Sequence, residues 1–99
     1  MSAYNVVRMR VKPEFLDQFL AYYRDRPLDM PGMKSMAVVQ TGEREFCFIG
    51  EWSDMEAIVA ARPAMLASLE EHRDKLEDLG GGLGVTDPVS GKAVIERRP

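Results

Sequence analysis

The sequence predicts an α+β domain of the ferredoxin-like type, β-α-β-β-α-β on one antiparallel sheet. Three observations carry that expectation. Strand-like stretches with period-two alternation stand at residues 3–12, 33–41 and 45–53, with a short last strand expected at 93–96. Two stretches with apolar residues three and four apart lie between them, at 13–26 and after Ser53. The link Gly42-Glu43-Arg44 has hairpin length, which makes the second and third strands antiparallel neighbours. At 99 residues the chain fits a single domain, 1–99, with one real core.

In the first strand Arg8, Arg10 and Lys12 alternate with Val7, Met9 and Val11. Pro13 then opens a helix, where its missing N–H costs little in the first turn. Phe15, Leu16, Phe19, Leu20, Tyr22 and Tyr23 form that helix's apolar stripe, and Pro27 with the Met30-Pro31-Gly32 turn ends it. In the third strand Phe46, Phe48, Gly50 and Trp52 share one face, and Glu45, Cys47, Ile49 and Glu51 the other. Ser53 to Glu56 has the pattern of a capping box. The helix it opens is expected to break near Pro63 and resume, carrying Met65, Leu69, His72, Leu76 and Leu79 on one face until Gly80 stops it. Asp87-Pro88-Val89-Ser90-Gly91 reads as a turn before the last strand.

The second and third strands are apolar at both parities: Met36 and Val38 against Ala37 and Val39, Phe46 and Phe48 against Cys47 and Ile49. Helices cover one face of such a sheet, so the other needs cover too. A second copy packing sheet to sheet about a two-fold axis provides it, and a homodimer is the expected assembly.

With 13 Lys and Arg against 16 Asp and Glu, the charge of −3 has the wrong sign for a protein whose main partner is nucleic acid or anionic lipid. No apolar run approaches the roughly 20 residues of a membrane helix. No basic-then-apolar leader opens the chain, so a cytoplasmic location is expected. The single Cys47 allows no internal disulfide, and one Cys with one His gives no metal-ligand spacing. Flavin and nicotinamide fingerprints are absent, and no cofactor is expected. Gly80-Gly81-Gly82-Leu83-Gly84 follows a helix, whereas phosphate loops precede one. It reads as a connection or lid.

His72 is the residue most informative about chemistry. It is the only His, and its spacing turns it toward the sheet. An imidazole moves protons near neutral pH, which suits a quinol or phenol substrate or an axial haem bond; the alternative is a half-buried His bonded to a backbone carbonyl. Asn5 shares a parity with Val7, Met9 and Val11. Its amide either holds a guest oxygen or satisfies backbone at the strand end. Tyr22 and Tyr23 are expected to border any cavity between helices and sheet. Met65, with Met30, Met33, Met36 and Met55, either lines an adaptable apolar pocket or fills an ordinary core. Arg8 and Arg10 are expected to pair with Glu45 or Glu51.

Met30-Pro31-Gly32-Met33-Lys34-Ser35, the hairpin ending Phe48-Ile49-Gly50-Glu51-Trp52-Ser53-Asp54, and the Glu56-Ala57 helix start resemble the antibiotic-biosynthesis-monooxygenase-type domains of the dimeric α+β barrel superfamily. The likeness spans nearly the whole chain. It implies a dimeric barrel with a small aromatic or apolar ligand between helices and sheet, and a cofactor-independent monooxygenase acting on an aromatic quinol or phenol, with His72 as acid/base and Asn5 polarising. Non-catalytic ligand-binding or stress-associated members are the alternative it implies. Trp52 is usually a packing residue in similar members, with a stacking role against substrate as the other reading. The haem-degrading branch of that family carries a Trp in the helix after the third strand. Here Val59 or Ala60 stands at that place, which argues against haem degradation.

Overall fold

Alternation in β1 (Ala3–Arg10) sends Ala3, Asn5 and Met9 to one face, where all three are buried, and leaves Arg8 exposed on the other. The computed structural model describes all residues, 1–99. A single 3-10 turn, Pro13–Phe15, leads into α1 (Leu16–Asp25), whose stripe buries Phe19 and Tyr23. The Met30-Pro31-Gly32 turn carries Gly32 at a φ of 85°, close against Ala57, and delivers the chain to β2 (Met33–Gln40). The hairpin to β3 (Glu45–Trp52) follows, with Phe46 and Trp52 buried. α2 (Met55–His72) crosses back, and β4 (Asp87–Lys92) completes the sheet. Strand order is β2-β3-β1-β4 with every neighbour antiparallel, the ferredoxin-like arrangement.

Four local expectations are corrected. The N-cap of α2 is Asp54, whose carboxylate accepts from the Ala57 amide at 2.8 Å, rather than Ser53. Pro63 does not interrupt α2. The carbonyl that it leaves without its helical partner belongs to Val59, a residue 52% exposed on the solvent side of the helix. The helix ends at His72, not near Gly80. After a 3-10 turn, Arg73–Lys75, the chain extends and pairs with the end of β1: Leu76 bridges Val11, the Lys12 amide donates to the Lys75 carbonyl at 2.9 Å, and the Glu77 amide to the Arg10 carbonyl at 2.8 Å. Those backbone bonds outweigh the helical spacing of Leu76 and Leu79. Finally, the turn-like Asp87-Pro88-Val89-Ser90-Gly91 is itself β4, and residues 93–96 are not a strand. As an edge strand β4 tolerates Pro88, and the free edge of β1 supplies its partners.

Two buried clusters hold the helices to the sheet. Met9, Val11, Phe19, Tyr23, Phe46 and Leu76 form the larger; Ala3, Trp52, Ile58 and Ala61 form the other. On the outer face Val89, Val6, Ile49 and Ala37 stand in register as one apolar row across all four strands. Val39 continues it beside the half-buried Cys47. Charge borders the row: Arg8 pairs with Asp87 at 2.9 Å and Arg10 with Glu45 at 3.8 Å, while Glu51 accepts from the Ser35 and Tyr4 hydroxyls. No helix is long and apolar enough to cross a membrane.

Candidate functional site

Between the helices and the sheet lies a cavity of about 370 Å³. That is toward the low end of the roughly 300–1,000 Å³ typical of small-molecule sites. Val7, Met36 and Phe48 give it a sheet floor, and Met65 and Leu69 of α2 a roof. Asn5, Tyr23 and His72 also line it. Of the methionines singled out by spacing, Met30, Met33, Met36 and Met65 are in the wall, joined by Met9, and Met55 is not.

Asn5 reaches the wall because β1 alternation points it at the helices. It does not satisfy strand-end backbone. Its Oδ1 accepts from the indole Nε1 of Trp52 at 2.7 Å, which fixes the orientation of the amide. Its Nδ2 meets only the Met65 thioether sulfur, 3.7 Å away, a weak acceptor. The amide nitrogen therefore keeps donor capacity for a guest. Gly50, opposite Asn5 in the β1–β3 register, makes this bond possible. A Cβ there would lie 2.8 Å from Trp52 Nε1 and closer still to Asn5 Oδ1. Trp52 itself is wholly buried with Ala3, Ile58 and Ala61 and is not in the cavity wall. Its part in the site is to orient Asn5.

His72 closes α2 and is only 3% exposed, with the rings of Tyr22 at 4.9 Å and Tyr23 at 5.6 Å. Burial pushes its pKa below the ordinary histidine value, and the charges of Lys75 and Arg26 push the same way; the Ser68 backbone and Glu71 oppose them. The resting imidazole is therefore neutral at neutral pH. Its Nε2 lies 3.4 Å from the Tyr23 hydroxyl. Its Nδ1 is buried with no hydrogen-bond partner of normal geometry. Burial, reinforced by neighbouring Tyr22, pushes the Tyr23 phenol up to about 12, so it stays protonated.

Tyr22 is not in the cavity wall either. Its hydroxyl joins Ser68 Oγ and the Arg26 guanidinium in a three-membered cluster: Arg26 Nη1 donates to Ser68 Oγ at 2.6 Å and to the Tyr22 hydroxyl at 3.0 Å, and the two hydroxyls bond each other. Arg26, Ser68 and Arg62 all line the cavity, and none was singled out by sequence. Arg26 sits where a helix-ending Arg is unremarkable, Arg62 reads as solvated helix surface, and Ser68 as polar filler. No cluster of three or more His, Cys, Asp or Glu side chains comes together.

The family model for antibiotic biosynthesis monooxygenases matches residues 2–74. No curated protein sequence matches the chain. Among solved structures the fold is similar to that of Rv0793 from Mycobacterium tuberculosis, with a TM-score of 0.76 and 12% identity over 99% of this chain and all of that one. It is also similar to a protein of unknown function from Nitrosomonas europaea, with a TM-score of 0.75 and 14% identity over 99% of this chain and 94% of that one. A variant of SnoaB, a cofactor-independent oxygenase from Streptomyces nogalater, has a TM-score of 0.65 and 17% identity over 96% of this chain and 95% of that one. With nearly three-quarters of its length inside the family model, and with the strand order and helix placement described above, this chain belongs to the antibiotic biosynthesis monooxygenase family.

Proposed function

We propose that the cavity takes an aromatic quinol or phenol and that the protein is a cofactor-independent monooxygenase in which this guest supplies the electrons. The observation supporting the reading is that Asn5, from the sheet, and His72, from the helix, line one largely apolar cavity of about 370 Å³. The neutral imidazole takes a proton from the guest at Nε2, with the Tyr23 hydroxyl 3.4 Å away as a relay. Burial alone disfavours the imidazolium, but the anion formed beside it provides a counter-charge. The Asn5 Nδ2 hydrogens donate to the oxygen on which negative charge builds. The carbanion then passes one electron to dioxygen, and the radical pair combines and collapses. In the keto tautomer of such a phenol, a ring methylene and O₂ give a carbonyl and water, so the four electrons leaving carbon are the four that reduce dioxygen. The similarity to a cofactor-independent oxygenase supports the same reading.

A second reading, a non-catalytic ligand-binding barrel, is favoured by one observation. The Nδ1 of His72 has no carboxylate to orient it, as catalytic histidines commonly do. Oxygen uptake with a menadiol- or anthrone-type quinol separates the two. Catalysis predicts uptake above the uncatalysed background that falls about 100-fold or more in His72→Ala. An unchanged rate in that variant removes His72 from the mechanism, and saturable binding without uptake supports the barrel that only binds. The assembly proposed with either reading is a homodimer joined through the Val89-Val6-Ile49-Ala37 row.

A further inference from the structure

Arg26 is held in place by hydroxyl groups, and no carboxylate pairs with it. Its Nη1 is tied to two neutral hydroxyls, those of Ser68 and Tyr22, and its guanidinium carbon lies 5.0 Å from the centroid of the Tyr22 ring. None of its protein contacts is a carboxylate: the ion pairs of this molecule involve Arg8, Arg10, Arg44, Arg73, Lys75 and Arg98, and neither Arg26 nor Arg62. Asp29, the one carboxylate in the cavity wall, pairs with neither of them. The Nε and Nη2 edge of Arg26 has no protein partner at all. That edge is the planar fork that grips a carboxylate through two parallel bonds. A half-buried arginine fixed by neutral groups, with this fork unused, stands in the wall of a cavity that is otherwise mostly apolar.

The geometry points to a guest of mixed character: an apolar aromatic body carrying a carboxylate, with the carboxylate gripped by the Nε/Nη2 edge of Arg26. Arg62, exposed at the same wall, adds positive charge at the rim but no fixed geometry. Ser68 and Tyr22 are positioning residues, since they hold Arg26 from the side opposite its free edge. This inference rests on the reading that the cavity binds an aromatic guest, and it narrows which aromatics qualify.

Calorimetric titration of the full-length protein with 2-naphthoic acid and with methyl 2-naphthoate tests it, because the two probes share the ring system and differ in charge. The acid is expected to bind at least about tenfold tighter than the ester, as a charged hydrogen bond at a partly exposed site allows. Arg26→Gln should abolish that preference, bringing acid and ester to equal affinity. Arg26→Lys should restore part of it, since a point charge returns without the fork. Equal binding of acid and ester to the unaltered protein would overturn the carboxylate assignment and leave the aromatic cavity standing. Binding of neither probe would overturn both. A preference that survives Arg26→Gln and disappears in Arg62→Gln would overturn the assignment to Arg26.

Discussion

A single hydrogen bond organises the polar part of the cavity, and a residue with no side chain protects it. Because the Trp52–Asn5 bond passes over Gly50, a methyl group there must displace one partner or the other. Gly50→Ala is expected to cost about 2 kcal/mol through the stranded indole N–H. Trp52 is the only tryptophan, so the urea midpoint read from its fluorescence measures the loss, and a shift in its native-state emission reports the changed surroundings of the indole. His72 gives a pH signature. Its native pKa lies below the unfolded value of 6.5, so the unfolded chain binds the proton first. Stability is then full above 6.5 and is lost as pH falls toward the native value, below which the loss levels off. Urea midpoints measured between about pH 7.5 and 5.5 should fall in the native sequence and stay flat in His72→Phe, whose ring suits the Tyr22 and Tyr23 contacts. At this scale Asn5 and His72 were legible in the sequence, because strand parity and helical spacing decide which way each points. Arg26 and Gly50 were not. Their importance comes from partners 42 and 45 residues away, Ser68 and Asn5, which no local pattern reveals.

Among the elements, those governed by their own residues matched the expectation: β1, α1 and the β2–β3 hairpin follow their alternation, stripe and link length. The misreadings fall where tertiary partners overrule local preference. Leu76 continues the helical spacing of α2 but joins β1 instead, and the turn residues of β4 straighten because β1 has an edge to fill. Pro63 is the clearest case. A proline in a helix interior costs roughly 3 kcal/mol relative to alanine, yet α2 runs through it from Met55 to His72. Pro63→Ala should therefore raise the thermal midpoint by at least about 5 °C, after subtracting the smaller entropy that proline removes from the unfolded chain. Calorimetry checks this. A lower midpoint would mean that the proline ring contributes packing which its exposure conceals.

For the molecule as a whole, strand parity separates two apolar surfaces with different uses. The inward parity meets the helices and bounds the cavity; the outward parity carries the Val89-Val6-Ile49-Ala37 row. If the row joins two copies, sedimentation should give a particle of twice 11.2 kDa, and Ile49→Asp should return it to one chain while ligand titrations of the cavity still saturate. A single-chain particle for the unaltered sequence at micromolar concentration would overturn the dimer.

Five thioethers, those of Met9, Met30, Met33, Met36 and Met65, ring the space that a guest would fill. Isotope labelling at their terminal methyl carbons turns the cavity into its own spectrometer. Each such group is a sharp, freely rotating reporter on a flexible stem, and an aromatic ring placed among them would move their resonances by ring current. Occupancy, orientation and exchange of any candidate molecule thus become readable by nuclear magnetic resonance before a single turnover has been observed.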